Sequence, residues 1–157
     1  MLISQNNPRN RWSQLVWFGI WGAVTAFGIF LKADPHGHGT HQSLGLPPCP
    51  SVLLLGRPCP GCGLTTSWTA LLHGDFGTAF RAHPLGPLLY LGYTVSALLS
   101  LYLARKSLRF DPADRRIERA MMIGAAAFFA FGAVRMALTT GYRTEKEMAM
   151  ARIFGAK

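Results

Sequence analysis

The sequence predicts an all-α integral membrane protein with three transmembrane helices and a short re-entrant or interfacial helical hairpin between the first and second. Half of its 157 residues are hydrophobic and only 15% are charged, against about 25% in soluble domains. The charges are also gathered, so that residues 13–31, 84–104 and 120–134 contain none. A bilayer core of about 30 Å needs about 20 apolar residues of helix. No run alternates apolar and polar residues with period two, so strands are not expected. We read residues 1–157 as a single membrane domain, with spans at about 13–31, 84–104 and 120–140 and a Cys/Pro/Gly hairpin at about 47–74.

The opening "MLISQNNPRNRW" places Arg9 and Arg11 ahead of the first apolar run. That run is long enough to span and ends at "LKADPHGHG" with no small-x-small cleavage site, so it reads as a retained anchor. Next come Pro47, Pro48, Pro50, Pro58 and Pro60, with the pattern P-C-P at 48–50 and again at 58–60. Proline suits the first position of a helix, where its missing N–H would have no partner, so Cys49 and Cys59 are each expected at an N-cap. The helix after Cys62, over Leu64–His73, is too short to span. Arg57 is the only charge between residues 35 and 74, so this region is too apolar for an ordinary loop and is expected to dip into the bilayer or lie on it. Packing is then the first duty of Gly61 and Gly63. Residues 73–86, "HGDFGTAFRAHPLG", read as a short interfacial helix broken at Pro84 before the second span. The third run reaches spanning length only with Arg135 inside it or snorkelling from its end. Small residues in "GIWGAVTAFG" and "GAAAFFAFGA" suggest close helix packing, and Trp12, Trp17, Trp68, Tyr90 and Tyr102 read as interface anchors.

The net charge of +9 invites a nucleic-acid reading. A simpler account exists. Six of the sixteen basic residues, Arg105, Lys106, Arg109, Arg115, Arg116 and Arg119, fall between the second and third runs, and basic residues in a short loop beside spans mark the cytoplasmic side. The N-terminus and the 105–119 loop are therefore expected in the cytoplasm and the cysteine hairpin outside. Arg143, Lys146, Arg152 and Lys157 in the tail count against this arrangement, and the tail's side stays open.

All five histidines and all three cysteines lie within residues 36–83, on the side where disulfides are permitted. A thiol at a helix N-terminus has its pKa lowered by free N–H groups and the helix dipole. Cys59 and Cys62, with two residues between them, suit a tetrahedral metal if Cys49 adds a third ligand and His73 or His83 a fourth. They equally suit a disulfide, or can remain free thiols. The flexible "HGHGTH" segment with His36, His38 and His41 reads as a solvated polar loop rather than a metal-capture segment, because ordering it costs entropy. Arg135 is an intramembrane charge whose expected partner is Asp75, unless it only reaches for headgroups.

"CP" at 49–50, "PCPGCGLT" at 58–65, "LLHGDFGTAF" at 71–80 and "HPLG" at 83–86 together resemble a family of small bacterial membrane proteins called domain of unknown function 2752. The resemblance covers about residues 44–104. It implies a multi-span membrane protein whose signature, including Pro58, Pro60, Gly61, Gly63 and Thr65, faces one side, and it implies no activity. Thr66 stands where the family commonly has arginine, and His83 where it commonly has asparagine; Arg57, Arg81 or Arg135 is left to supply such a charge. No nucleotide-binding glycine loop, Ser-His-Asp arrangement or carboxylate pair stands out, so enzymes are not the leading class. The expectation is a structural or accessory component of a bacterial inner membrane, working among lipids and other membrane proteins and not with nucleic acid. The alternatives are a protein handling metal, zinc or copper, or thiol redox through Cys49, Cys59 and Cys62, or a lipid-binding protein.

Overall fold

In the computed structural model, which describes residues 3–5, 8–110 and 115–153, each apolar run is a helix. Helix α1 (Pro8–Phe30) has 23 residues, α5 (Gly86–Arg105) has 20 and α6 (Arg115–Leu138) has 24. Their rises of about 30 Å or more match a bilayer core, and all three are apolar enough to cross one. Proline opens the first turn of α5, where its missing N–H costs nothing. Four short helices complete the set: α2 (Pro50–Leu55), α3 (Leu64–Leu72), α4 (Phe76–Ala82) and α7 (Glu145–Ile153). A 3-10 turn covers Thr40–Leu44.

Helices α1 and α5 form an antiparallel pair joined by a polar ladder. Trp17 Nε1 donates to Ser96 Oγ at 3.3 Å, Trp21 Nε1 to Thr94 Oγ1 at 3.1 Å, and the hydroxyls of Thr25 and Tyr90 meet at 2.8 Å. Residue numbers rise on one helix as they fall on the other, which is the antiparallel register. Each such bond between helices in lipid contributes about 0.6–2 kcal/mol. Tyr90 is buried at this contact, so its expected role as an interface anchor gives way to helix pairing, whereas Trp12 and Tyr102 remain exposed.

Helices α3 and α4 pack against each other as a helical hairpin over residues 64–82, with α3 seated against the C-terminal half of α1 and the start of α5. Gly28 faces the tip of Leu72, and Trp68 Nε1 donates to the carbonyl of Gly86 at 2.9 Å. The predicted close packing of small residues is confined to such places. A Cβ on Gly28 or Gly132 would collide with Leu72 or Pro60, while one on Gly19, Gly22 or Gly124 would meet nothing within 4 Å. Most of α6 is exposed, as a lipid-facing rod would be, and its C-terminal end meets the hairpin.

Two elements depart from the sequence reading. Strands β1 (Ile3–Gln5) and β2 (Leu108–Phe110) pair antiparallel, Ile3 opposite Phe110 and Gln5 opposite Leu108. Three-residue strands carry too few alternations to show a period. Their pairing places the N-terminus beside the basic loop at one end of the bundle. At the other end the tail forms α7, which packs on α2. Of the four tail cations, Arg143 is drawn into that contact. Its guanidinium donates to the carbonyls of Val52, Leu53 and Leu54 at 2.7–3.0 Å, satisfying the exposed C-terminus of α2. Lys157 lies outside the described residues.

Candidate metal centre

Cys49 is the N-cap of α2, with Pro50 in the first turn, as its proline predicts. Helix α2 stops at Gly56, whose φ of +64° reverses the chain and whose N–H donates to Val52. Cys59 does not cap a helix, contrary to expectation. Glycines at 61 and 63 favour a turn over a helical start, so the chain turns over Pro60–Gly63, the N–H of Cys62 donates to the carbonyl of Cys59 at 3.0 Å, and α3 begins only at Leu64. Gly63 takes φ +85° and packs under the carbonyls of Ala82 and Gly37.

These two turns bring the three cysteines together. Their sulfurs all lie within 4.8 Å of one another, and Cys59 Sγ and Cys62 Sγ are 3.1 Å apart. All three are thiols, Cys62 buried and the other two half-buried. Burial pushes the Cys62 thiol well up, reinforced by its contact with Cys59. Burial would do the same to Cys49, but N–H groups of Val52 and Ser51 at the α2 N-terminus, with the Cys62 thiol, outweigh it and bring Cys49 below the usual thiol range. Three sulfurs at this spacing form a donor set that could hold a metal ion.

The sulfurs open into a cavity of about 260 Å³ that His38, His41, Thr65 and Thr66 also line. Of the two histidines expected as further ligands, neither lines it. His73 ends α3 and donates from Nδ1 to the carbonyl of Thr69 at 2.8 Å. His83 is fully buried beneath Phe128 and Phe131, with Nε2 donating to the carbonyl of Pro60 at 2.9 Å and Nδ1 without a hydrogen-bond partner. Burial holds its pKa below the ordinary value. His41 lines the cavity instead.

The "HGHGTH" segment is solvated only at its start: His36 is exposed beside Asp34, whereas His38, Gly39 and Thr40 are buried. His38 is buried, stacks on Tyr142 at 4.3 Å and meets the buried carboxylate of Glu147 through Nε2 at 3.0 Å. Glu147 also accepts from Gln42 and from the N–H and hydroxyl of Thr144. The Thr40 and Thr66 hydroxyls meet at 2.8 Å in the same wall, so Thr66 serves as a buried hydrogen-bonding residue rather than as a charge.

Arg135 and Asp75 are not brought together. Asp75 is exposed at the N-cap of α4, accepting from the N–H of Thr78 at 2.9 Å. Arg135 donates to the carbonyl of Cys62 at 2.7 Å, to that of Ala82 at 2.8 Å and to the Tyr142 hydroxyl at 3.2 Å. Backbone carbonyls replace the expected carboxylate because both turns end beneath the last turn of α6. Arg135 is thus the guanidinium at the site, while Arg57 reaches the carbonyl of Met136 and Arg81 stays on its own helix.

Residues 49–97 match the family described as protein of unknown function (DUF2752). Over this segment the chain is similar to the DUF2752 family. The match begins at Cys49 and takes in all three cysteines, the hairpin and the first part of α5. The DUF2752 segment therefore supplies the sulfurs and Thr65, whereas His38, Arg135 and Glu147 come from outside it. No curated protein and no solved structure is significantly similar to the chain.

Proposed function

We propose that this multi-span membrane protein holds a zinc or copper(I) ion through Cys49, Cys59 and Cys62, and that the ion fastens the cap made at that end by the hairpin, the histidine segment and the tail helix. The protein then serves as a structural or accessory component among the lipids and other proteins of a bacterial inner membrane. The observation that carries the reading is the convergence of three sulfurs within 4.8 Å from two separate turns. Soft thiolates suit both ions. Zinc would need a fourth donor, which could be a water or His41 from the wall of the same cavity, and copper(I) accepts three. The basic loop and the N-terminal strand share one end, which by the charge rule is cytoplasmic and leaves the cap outside. Protein purified from membranes without chelator should carry about one ion per chain by elemental analysis, and Cys49→Ser should lose it. Fewer than one ion in ten chains would contradict the reading.

The 3.1 Å contact between Cys59 and Cys62 favours a second reading, in which these two form a disulfide by giving two protons and two electrons to an acceptor disulfide, which is reduced to a pair of thiols. Alkylation before and after reduction separates the readings. A mass shift of two alkyl groups that appears only after reduction, with no metal bound, selects the disulfide.

A further inference from the structure

Beside the cysteine cavity, and separate from it, lies an apolar groove of about 420 Å³ between α1, α3 and α5. Its walls come from the last two turns of α1, including Ala23 and Phe27, from Leu31 just beyond that helix, and from Trp68 and Tyr90. Since α1 and α5 are spans, the groove opens to the bilayer in the leaflet nearest the cap. Its volume lies in the lower half of the range for small-molecule sites, about 300–1,000 Å³, which suits one chain rather than a pair.

Thr65 lines both this groove and the cysteine cavity. A molecule with its tail in the groove would thus direct its head toward the cap. Among the described residues the groove lining has no charged side chain, and that of the cavity has the carboxylate of Glu147 and neither lysine nor arginine. Arg135 and Arg143 are bound to backbone carbonyls, and Lys32, which follows Leu31, is exposed and lies outside both linings. A phosphate head would therefore enter a place without a counter-charge and beside a carboxylate, which is costly in low dielectric. An uncharged head is not penalised, and the faces of Phe27, Trp68 and Tyr90 favour a flat ring.

We infer that this groove is a binding site for a single-tailed, uncharged membrane lipid with a flat polar head, the chemistry of a prenyl quinone, its head at Thr65. The inference needs the spans but not the metal, so it stands or falls apart from the reading above.

The test is native mass spectrometry of the full chain in detergent, with a ubiquinone analogue bearing a ten-carbon tail as the probe. One quinone should bind saturably. Ala23→Phe, which fills the groove, should weaken binding at least tenfold, and Ala26→Phe, on the same helix outside the lining, should leave it unchanged. Dioleoylphosphatidylglycerol in excess should not displace the probe. No saturable binding, equal loss in both variants, or displacement by the anionic lipid would each overturn the assignment. If Ala23→Phe fails to fold, Leu31→Trp at the cap end of the groove replaces it, with the same tenfold expectation.

Discussion

Gly63 holds φ +85° with its α-carbon facing the carbonyl oxygens of Ala82 and Gly37, so a side chain there would be strained by conformation and by collision with backbone. The left-handed region alone costs a non-glycine residue about 1–3 kcal/mol. We expect Gly63→Ala to lower thermal stability in detergent by at least that much and to reduce bound metal, because the same turn sets the position of Cys62; Gly61→Ala, where a Cβ meets nothing within 4 Å, should be mild. The packing duty of Gly63 was legible from a glycine beside a cysteine in an apolar stretch. The role of His38 was not, because its carboxylate partner is 109 residues away and nothing local marks the pair. For the same reason His41, read as solvated, became a cavity residue, while His73 and His83 each donate from one ring nitrogen to a backbone carbonyl.

At the scale of elements, α6 is joined to the hairpin by the Arg135 guanidinium, which bridges the carbonyls of Cys62 and Ala82. Hydrogen bonds involving a charged group contribute about 1.5–3 kcal/mol each. Arg135→Ala should therefore destabilise the protein by about 3 kcal/mol or more in a melting experiment. Arg135→Lys should recover only part of this, since an ammonium lacks the planar fork that reaches two carbonyls. Full recovery by lysine would show that charge alone matters. The three spans could be read from charge-free runs because length and composition decide membrane crossing. Short elements behaved differently. Proline fixed the start of α2, but at Cys59 the neighbouring glycines won, and the strand pair escaped notice because its partners lie a hundred residues apart.

For the whole molecule, the two ends differ in what closes them: paired strands beside the basic loop at one, and a cap of hairpin, histidine segment and tail helix at the other. Glu147 is the bolt of that cap. Burial alone would raise its pKa, but the N–H of Thr144 and the His38 and Gln42 side chains outweigh this and hold it below the ordinary 4.5. Because the folded value is depressed, its contribution to stability is present above pH 4.5 and is lost as pH falls through the folded value. We expect the melting temperature to fall across that acid window in the wild type, and Glu147→Gln to be less stable at neutral pH with a flatter acid profile. An identical profile in the variant would remove Glu147 from the account. The central claim is that the cap brings three sulfurs onto one ion, and X-ray absorption at the metal edge of purified protein tests it most directly. Three sulfur scatterers at about 2.3 Å are expected for zinc, and Cys49→Ser, which loses the ion, should show no metal edge. A first shell of nitrogen and oxygen alone would contradict it.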